Sequence, residues 1–442
     1  MKRTAAYRTI WRWHFYAGLF VMPFILILSL TGAAYLFKPQ IDRWEERQYI
    51  GLGMAGAVSP NVQAEAALAA FPGATFYSYR LPRSDGDAAM IHLGMADGRS
   101  MRDVFVSPQG KVLGSTDPET RLSTLIAHFH GSLMIGSVGD RLVELAASWA
   151  IVMIITGLYL WWPSGRGLSG VLWPRLTKGG RGFLKDLHAV TGFWVSGLAL
   201  ILLLTGLPWA GVWGSAFRTV RAEMGWVHGA QNWKTGAHAA HDHDAMVQQQ
   251  SAGIPLASLA DMVAKAQVEH LAFPVIVVVP GAPQPFGPPA GMAWTVKSEA
   301  QNRPLQRTIT YDIASGKELS RSGIEDKHAI DQLINYGIAW HEGQLFGWVN
   351  QLIGVLTALT LITLSISGFL MWRRSKPENK LGAPLPPSGA KVRGLTVIIL
   401  VLAALLPLLA ASLIGLWLME RLIVPRFPRL SAWLGIIPVA PA

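Results

Sequence analysis

The feature that most constrains this chain is a set of five long stretches without Asp, Glu, Lys or Arg. The stretches cover residues 13–37, 145–165, 187–217, 343–372 and 394–419. Each is long enough for a helix to cross the hydrocarbon core of a bilayer, which needs about 20 residues. Charged residues make up only 15% of the 442-residue chain, whereas soluble domains carry about 25%. The sequence therefore predicts a membrane protein with five transmembrane helices.

Basic residues in the short loops set the expected orientation of these helices. Lys and Arg are concentrated in residues 166–186, between the second and third stretches, and in residues 373–393, between the fourth and fifth. Short loops rich in Lys and Arg remain in the cytoplasm. We therefore expect an inner-membrane protein with a cytoplasmic N-terminus and with its long loops on the opposite side. The net charge of +11 then reflects topology and does not indicate nucleic-acid binding, which requires a basic patch on a soluble surface.

The apolar stretches form two copies of one pattern. The first and third align without a gap at an offset of 174 residues, and the second and fourth align at an offset of 211. Because the first and third helices run in the same direction, the copies are predicted to be parallel repeats about an axis along the membrane normal. The aligned pairs are His14 with His188, Gly18 with Gly192, Thr31-Gly32 with Thr205-Gly206, His130 with His341, Gly136 with Gly347, Gly157 with Gly368, and Trp161 with Trp372.

The two long loops repeat as well. Each begins with a helical pattern that precedes three strand patterns, which is typical of a small α+β domain. The segments are 60–71, then 75–81, 88–94 and 101–107 in the first loop, and 255–268, then 274–279, 293–297 and 306–313 in the second.

The predicted fold class is a membrane all-α core of four repeat-related helices plus a fifth, with two extracytoplasmic α+β domains and a parallel internal duplication. The predicted segments are the N-terminus and first helix (1–38), a periplasmic domain (39–125), the second helix with an interfacial extension (126–165), a cytoplasmic loop (166–186), the third helix (187–212), a second periplasmic domain (213–335), the fourth helix with an interfacial extension (336–373), a second cytoplasmic loop (374–393), the fifth helix (394–420) and a periplasmic or interfacial tail (421–442).

Four of the twelve histidines are the ones that repeat. An ionisable residue at the end of a membrane helix indicates a functional site, although a single such histidine is more often only interfacial or hydrogen-bonded. Under the expected axis, His14 faces His188 near the cytoplasmic surface. His130 then faces His341 near the periplasmic surface. Two opposed imidazoles suit a six-coordinate haem iron, with each ring fixed by a hydrogen bond at its second nitrogen.

The pattern thus predicts two haems, one near each surface, that carry electrons across the bilayer. The chain has no cysteine, which excludes the CxxCH attachment of c-type haem, so the haems are expected to be non-covalent b-type haems. Gly18 and Gly192, one turn from the inner pair of histidines, are expected to leave room for the porphyrin.

Two further histidine groups remain open. His128 lies two residues before His130 and is a rival ligand, although the gapless offset favours His130. His238, His241 and His243 form a cluster in the second long loop, and their spacing can chelate a borderline metal ion. This cluster has no repeat partner, and its Ala- and Gly-rich surroundings equally fit a loop without a metal.

Two segments resemble a known family. They read HFHGSLMIGSVGDRLVELAASWAIVMIITGLYLWWP from His128 and WHEGQLFGWVNQLIGVLTALTLITLSISGFLMWRR from Trp340. Together with the two soluble loops, they resemble the PepSY-associated transmembrane helix family over roughly residues 8–375. The resemblance implies PepSY-like domains in the long loops. It also implies an oxidoreductase similar to haem-containing ferric-siderophore reductases, which would deliver electrons to a periplasmic ferric siderophore or other ferric chelate.

The sequence leaves the electron donor and two rival functions open. No G-x-G-x-x-G motif follows a predicted strand, so we expect the donor to be a separate cytoplasmic reductase or the quinone pool. One rival function is a non-catalytic regulator whose PepSY-like domains bind a peptide or a peptidase, which leaves the repeated histidines unexplained. The other is a transporter, for which four repeated helices with long soluble insertions offer little pathway.

Overall fold

The computed structural model describes residues 5–162, 170–176, 179–227, 258–282, 291–383 and 393–436, and the cluster of His238, His241 and His243 lies outside them. The chain divides into two compact units. The helical unit comprises Met1–Ala33, His130–Phe217 and Ile353–Ala442. The sheet unit comprises Ala34–Phe129 and Arg218–Leu352.

The secondary structure elements within the described residues are numbered in chain order. The α-helices are α1 (Ala5–Tyr35), α2 (Lys38–Glu45), α3 (Pro60–Ala70), α4 (Leu122–Ser132), α5 (Gly136–Trp161), α6 (Gly180–Gly206), α7 (Gly211–Glu223), α8 (Leu259–Val268), α9 (Ala329–His341), α10 (Trp348–Ser375), α11 (Arg393–Leu405), α12 (Pro407–Leu418) and α13 (Pro428–Leu434). The strands are β1 (Thr75–Arg80), β2 (Ala89–Gly94), β3 (Met101–Val106), β4 (Val112–Thr116), β5 (Val275–Val278), β6 (Trp294–Ser298), β7 (Thr308–Tyr311) and β8 (Glu318–Ser322).

Within the described residues, five helical segments are long and apolar enough to cross a membrane, which confirms the predicted number. The chain is a multi-pass membrane protein. The segments are Ala5–Tyr35, Gly136–Trp161, Gly180–Trp209, Trp348–Ser375 and Pro407–Arg426.

The fifth helix, predicted as one segment over residues 394–420, is two helices in the structure. The break falls at Leu406, whose backbone is extended (φ −123°, ψ 93°), and α12 begins at Pro407. Proline has no N–H to donate, and its ring clashes with the carbonyl group four residues earlier, so it interrupts the helix. The carbonyl oxygen of Leu405, at the end of α11, accepts a hydrogen bond from Trp213 Nε1 at 3.0 Å.

The C-terminal tail lies at the end of the helical unit where α1 begins. The Arg12 guanidinium donates a hydrogen bond to the carbonyl oxygen of Gly435 at 3.0 Å. Leu381, beyond the end of α10, donates its backbone N–H to the carbonyl oxygen of Trp433 at 2.9 Å. We expected residues 421–442 at the opposite surface, where one unbroken fifth helix would end. The break before α12 explains the difference, because the chain reverses direction there and returns.

The sheet unit contains one eight-stranded antiparallel sheet with the strand order β4-β3-β2-β1-β5-β6-β7-β8. Each long loop supplies a four-stranded meander. The sequence correctly predicts the first three strands of each meander and the preceding helices α3 and α8, but it misses β4 and β8. The meanders join where β1 pairs with β5, with Tyr79 opposite Val277. The two loops, predicted as separate α+β domains, thus share one sheet, because the open edges of the meanders satisfy each other's backbone groups.

A single hydrophobic core lies on the face of this sheet that α3 and α8 cover. Alternate residues of neighbouring strands point to this face, as the two-residue period of a strand requires. Side chains from both meanders meet there, and each buried apolar surface contributes about 25 cal/mol per Å² to folding. The fully buried members include Ile91, Val104, Val277, Val296 and Ile309.

The opposite face of the first meander carries a charged network. Arg80 and Arg121 both donate hydrogen bonds to the carboxylate of Glu46, at 2.8 and 2.6 Å. His92 on β2 lies directly opposite Asp103 on β3, and His92 Nδ1 is hydrogen-bonded to the carboxylate of Asp103. Burial disfavours the charge on His92, but the carboxylate of Asp103 outweighs burial and raises the pKa of the imidazole above its ordinary value.

We expect the stability that His92 contributes to depend on pH. Because the pKa of His92 is raised in the folded state, its ion pair with Asp103 stabilises the fold below the ordinary imidazole pKa of 6.5, and this contribution is lost as the pH rises through the folded value. The pKa of Asp103 is lowered from 3.8, so the carboxylate stays charged throughout that range.

The measurement compares thermal unfolding of the wild type and His92→Gln in detergent. The wild type should unfold at a higher temperature than His92→Gln at about pH 6, and this difference in unfolding temperature should be smaller at about pH 9. Arg321→Gln is a control, because its ion pairs with Glu269 and Glu318 lie at the surface and contain no histidine. If the wild type and His92→Gln differ in unfolding temperature by the same amount at both pH values, the ion pair does not make the predicted contribution to stability.

Candidate metal-ligand site

His14 lies on α1 and directs its imidazole against α5. Its Nδ1 atom is 3.0 Å from the hydroxyl oxygen of Thr156. The next residue, Gly157, lies beside the same imidazole ring. A Cβ atom at this position would be 3.2 Å from His14 Cε1, which is closer than most Cβ contacts in proteins. A hydroxyl group and a glycine in sequence therefore hold this ring in place.

His188 on α6 has the same surroundings on α10. Its Nδ1 atom is 3.1 Å from the hydroxyl oxygen of Ser367 and 3.1 Å from the carbonyl oxygen of Leu364. A Cβ atom at Gly368 would be 3.3 Å from His188 Cε1. Residues 367 and 368 follow residues 156 and 157 at the offset of 211, as His188 follows His14 at 174. The contacts of His14 and His188 are thus made by residues that the sequence alignment relates.

His14 lies on the first turns of α1, at the end of the helical unit where that helix begins. The pairing of His14 with His188 across the expected axis remains a prediction. Gly18 and Gly192, expected to leave room for a porphyrin, instead face side chains of the partner helices. A Cβ atom at either would lie 3.5 Å from the side chain of Met153 or Leu364, which is ordinary van der Waals contact.

The hydrogen-bond partners of the two Nδ1 atoms determine the tautomer of both rings. A carbonyl oxygen can only accept, so the contact with Leu364 requires that His188 Nδ1 carries the proton. The hydroxyl group of Thr156 donates its one hydrogen to the carbonyl oxygen of Val152 at 2.8 Å, so it accepts from His14 Nδ1. In both neutral rings the lone pair is then on Nε2. Within the described part of the chain, neither Nε2 atom of this pair has a hydrogen-bond partner.

His130 is held in the same way at the other end of α1. Its Nδ1 atom lies 3.0 Å from the hydroxyl oxygen of Thr31, and a Cβ atom at Gly32 would be 3.0 Å from its Cε1. Seventeen residues separate His14 from Thr31 in α1, which at about 1.5 Å per residue places the two histidine sites about 25 Å apart along the helix. One site lies near each end of the helical unit, as the sequence predicts.

The structure distinguishes His128 from His130. His128 Nε2 lies 3.6 Å from a carboxylate oxygen of Glu119 in the sheet unit, so this ring has a polar neighbour of its own. His341 is the last residue of α9, which is a separate helix from α10 and not an extension of it, and it belongs to the sheet unit. Its pairing with His130 remains a prediction.

Sequence reasoning missed the hydroxyl groups of Thr156, Ser367 and Thr31. The signal was present, because each directly precedes a glycine that the repeat alignment had paired. Small and hydroxyl-bearing residues are common where membrane helices pack, so their presence alone does not identify a ligand-holding position.

The fold and this site define a multi-pass membrane protein with a separate antiparallel sheet region and histidines held between its membrane helices. A family model described as the PepSY-associated TM region matches residues 11–375, and the chain belongs to this family. No curated protein matches the sequence.

The tautomer assignment predicts the outcome of solid-state NMR on metal-free protein with ¹⁵N-labelled histidine. His14 and His188 should show a protonated Nδ1 and an unprotonated Nε2. His328 is an internal contrast, because its Nδ1 accepts the N–H of Ile330 at 3.2 Å and its neutral form must carry the proton on Nε2. Spectra of His14→Ala and His188→Ala assign the signals. A protonated Nε2 at either position would contradict the assignment.

Proposed function

We propose that this protein is a di-haem electron carrier of the bacterial inner membrane that reduces a periplasmic ferric chelate, such as a ferric siderophore. The observation that carries the proposal is the His14 and His188 pair, in which both rings are fixed at Nδ1 and present the lone pair of Nε2. The contacts at positions related by the offsets of 174 and 211 support a parallel internal duplication, in which the two long loops form PepSY-like regions.

The residues present fit bis-histidine ligation of non-covalent b-type haem. His14 and His188 would hold the inner haem through Nε2, while their Nδ1 atoms remain bonded to protein oxygens, as is usual for metal-ligating histidine. His130 and His341 would hold the outer haem. A haem held by two protein histidines would supply one-electron transfer and would not activate oxygen.

The apolar helices on which His14 and His188 lie provide a medium of low polarity around these part-buried rings. The hydroxyl groups of Thr156 and Ser367 keep the Nδ1 protons in place, so each ligand remains a neutral imidazole. The chain's own residues thus fix ligand orientation and protonation, and the electron donor is expected to be a cytoplasmic reductase or the quinone pool.

The chemistry of iron explains why one electron suffices for release. Fe(III) is a hard ion that suits the oxygen donors of a siderophore, whereas Fe(II) binds such ligands less tightly. Transfer of one electron to the bound Fe(III) gives Fe(II), and the metal leaves the chelate. We expect the ferric chelate to contact the sheet unit, which comprises most of the predicted periplasmic residues.

Haem content tests the ligand assignment. The purified wild type should give a reduced-minus-oxidised spectrum with b-type bands and two haems per chain. His14→Ala and His188→Ala should each lose the same haem, and His130→Ala should lose the other. His128→Ala and His328→Ala are matched controls that should retain both. A wild type without b-type bands would contradict the proposal and favour a non-catalytic peptide-binding regulator or a transporter.

Ferric reduction tests the substrate class. Protein reduced without oxygen and freed of excess reductant should become oxidised when a ferric hydroxamate chelate is added. One Fe(II), trapped by a ferrous-specific dye, should appear for each electron lost. The matching Ga(III) chelate is the control, because it has the same shape and charge but accepts no electron. Protein that stays reduced with several ferric chelates of different denticity and charge would contradict ferric-chelate reduction while leaving haem binding intact.

A further inference from the structure

The same dipeptide, a hydroxyl-bearing residue followed by glycine, meets three different histidines in the helical unit. Thr156-Gly157 on α5 meets His14, and Ser367-Gly368 on α10 meets His188. These two are related by the repeat offset. The third, Thr31-Gly32 on α1, meets His130 and belongs to a helix that the alignment does not relate to α5 or α10. Duplication explains the first two occurrences, and the third is an independent one.

In all three dipeptides the hydroxyl hydrogen is already used by the residue's own helix. Thr156 donates to the carbonyl oxygen of Val152 at 2.8 Å, and Ser367 donates to Leu364 at 3.0 Å. Thr31 donates to Ile27 at 2.8 Å. A hydroxyl group has one hydrogen and two lone pairs, so each of these oxygens can only accept from the imidazole.

The glycine controls the position of a particular ring atom. A Cβ atom added at the glycine would have Cε1 as its nearest neighbour in every case, at 3.2 Å for Gly157, 3.3 Å for Gly368 and 3.0 Å for Gly32. Cε1 is bonded to both ring nitrogens. A side chain at the glycine position would therefore move Nδ1 away from its hydroxyl oxygen and change the direction of the Nε2 lone pair at the same time.

We propose that Thr156-Gly157, Ser367-Gly368 and Thr31-Gly32 are positioning dipeptides that set the tautomer, the ring plane and the basicity of the haem-ligating histidines. This inference rests on the proposed function. The hydroxyl oxygen is a weaker acceptor than a carboxylate, so it orders the Nδ1 proton without drawing it away from the ring. Hydrogen bonding at Nδ1 increases the basicity of Nε2, and its removal makes the ligand less basic, which favours reduced iron.

The test is a spectroelectrochemical titration of each haem, combined with low-temperature EPR of the oxidised protein. Thr156→Val removes the acceptor and keeps the shape of the side chain. We expect both haems to remain bound and one of them to become easier to reduce, with the equilibrium constant changing about three- to tenfold, where tenfold is 59 mV for one electron. Ser367→Ala should shift the same haem by a smaller amount, because the carbonyl oxygen of Leu364 remains as an acceptor for His188 Nδ1. Thr31→Val should shift the other haem. Thr156→Ser, which restores a hydroxyl group, should return the potential toward the wild-type value.

Gly157→Ala tests the ring plane. It should change the EPR g values of the haem that Thr156→Val shifts, because those values depend on the relative orientation of the two ligand planes. Gly197→Ala on α6 is the matched glycine control, because a Cβ atom added there would have nothing within 4 Å among the described residues. Thr360→Val on α10 is the matched threonine control, because its hydroxyl group is exposed and donates to the carbonyl oxygen of Leu356 in its own helix.

The outcomes separate the two proposals. A wild type without haem overturns the proposed function and this inference together. If both haems remain bound, and their potentials and g values in Thr156→Val and Ser367→Ala equal those in Thr360→Val, the positioning role alone is overturned. A potential that shifts equally in Thr156→Val and Thr156→Ser also overturns it, because packing and not the hydroxyl acceptor would then be responsible.

Discussion

The hydrogen bond from an imidazole to a hydroxyl oxygen on a neighbouring helix is the interaction on which the histidine sites of the helical unit depend. A polar ring without a partner in an apolar environment costs on the order of several kcal/mol, so a histidine within a membrane helix must face a helix that offers an acceptor. Glycine beside that acceptor allows the ring to approach. One such contact ties α1 to α5, and its counterpart ties α6 to α10. The α1–α5 and α6–α10 contacts and the positions of His14 and His188 therefore have one physical cause.

Features with a local pattern were predictable from the sequence, and features that depend on distant contacts were not. The first four membrane helices follow from uncharged length, and six strands follow from alternation. β8 has no such pattern, since all five of its residues are exposed. The pairing of β1 with β5 brings together residues nearly two hundred positions apart, and nothing in either strand indicates which edge it will meet.

The candidate site shows the same division. His14 and His188 were predictable because an ungapped alignment places them in register and because histidine is costly in a membrane helix. The hydroxyl groups that accept from these histidines were not predictable, because Thr and Ser in membrane helices commonly bond to their own backbone. Thr156 and Ser367 do so as well. Only the approach of a ring from another helix distinguishes them. Pro407 was visible in the sequence, but the absence of charge around it suggested one continuous helix.

The contacts of the C-terminal tail have a consequence for the end of the helical unit where α1 begins. Residues 393–436 lie beyond the part that matches the family, and the last of them return to that end. Arg12 on α1 and Leu381 after α10 both donate hydrogen bonds to carbonyl oxygens of this tail. The tail therefore links the start of α1, two residues before His14, to the segment that follows α10.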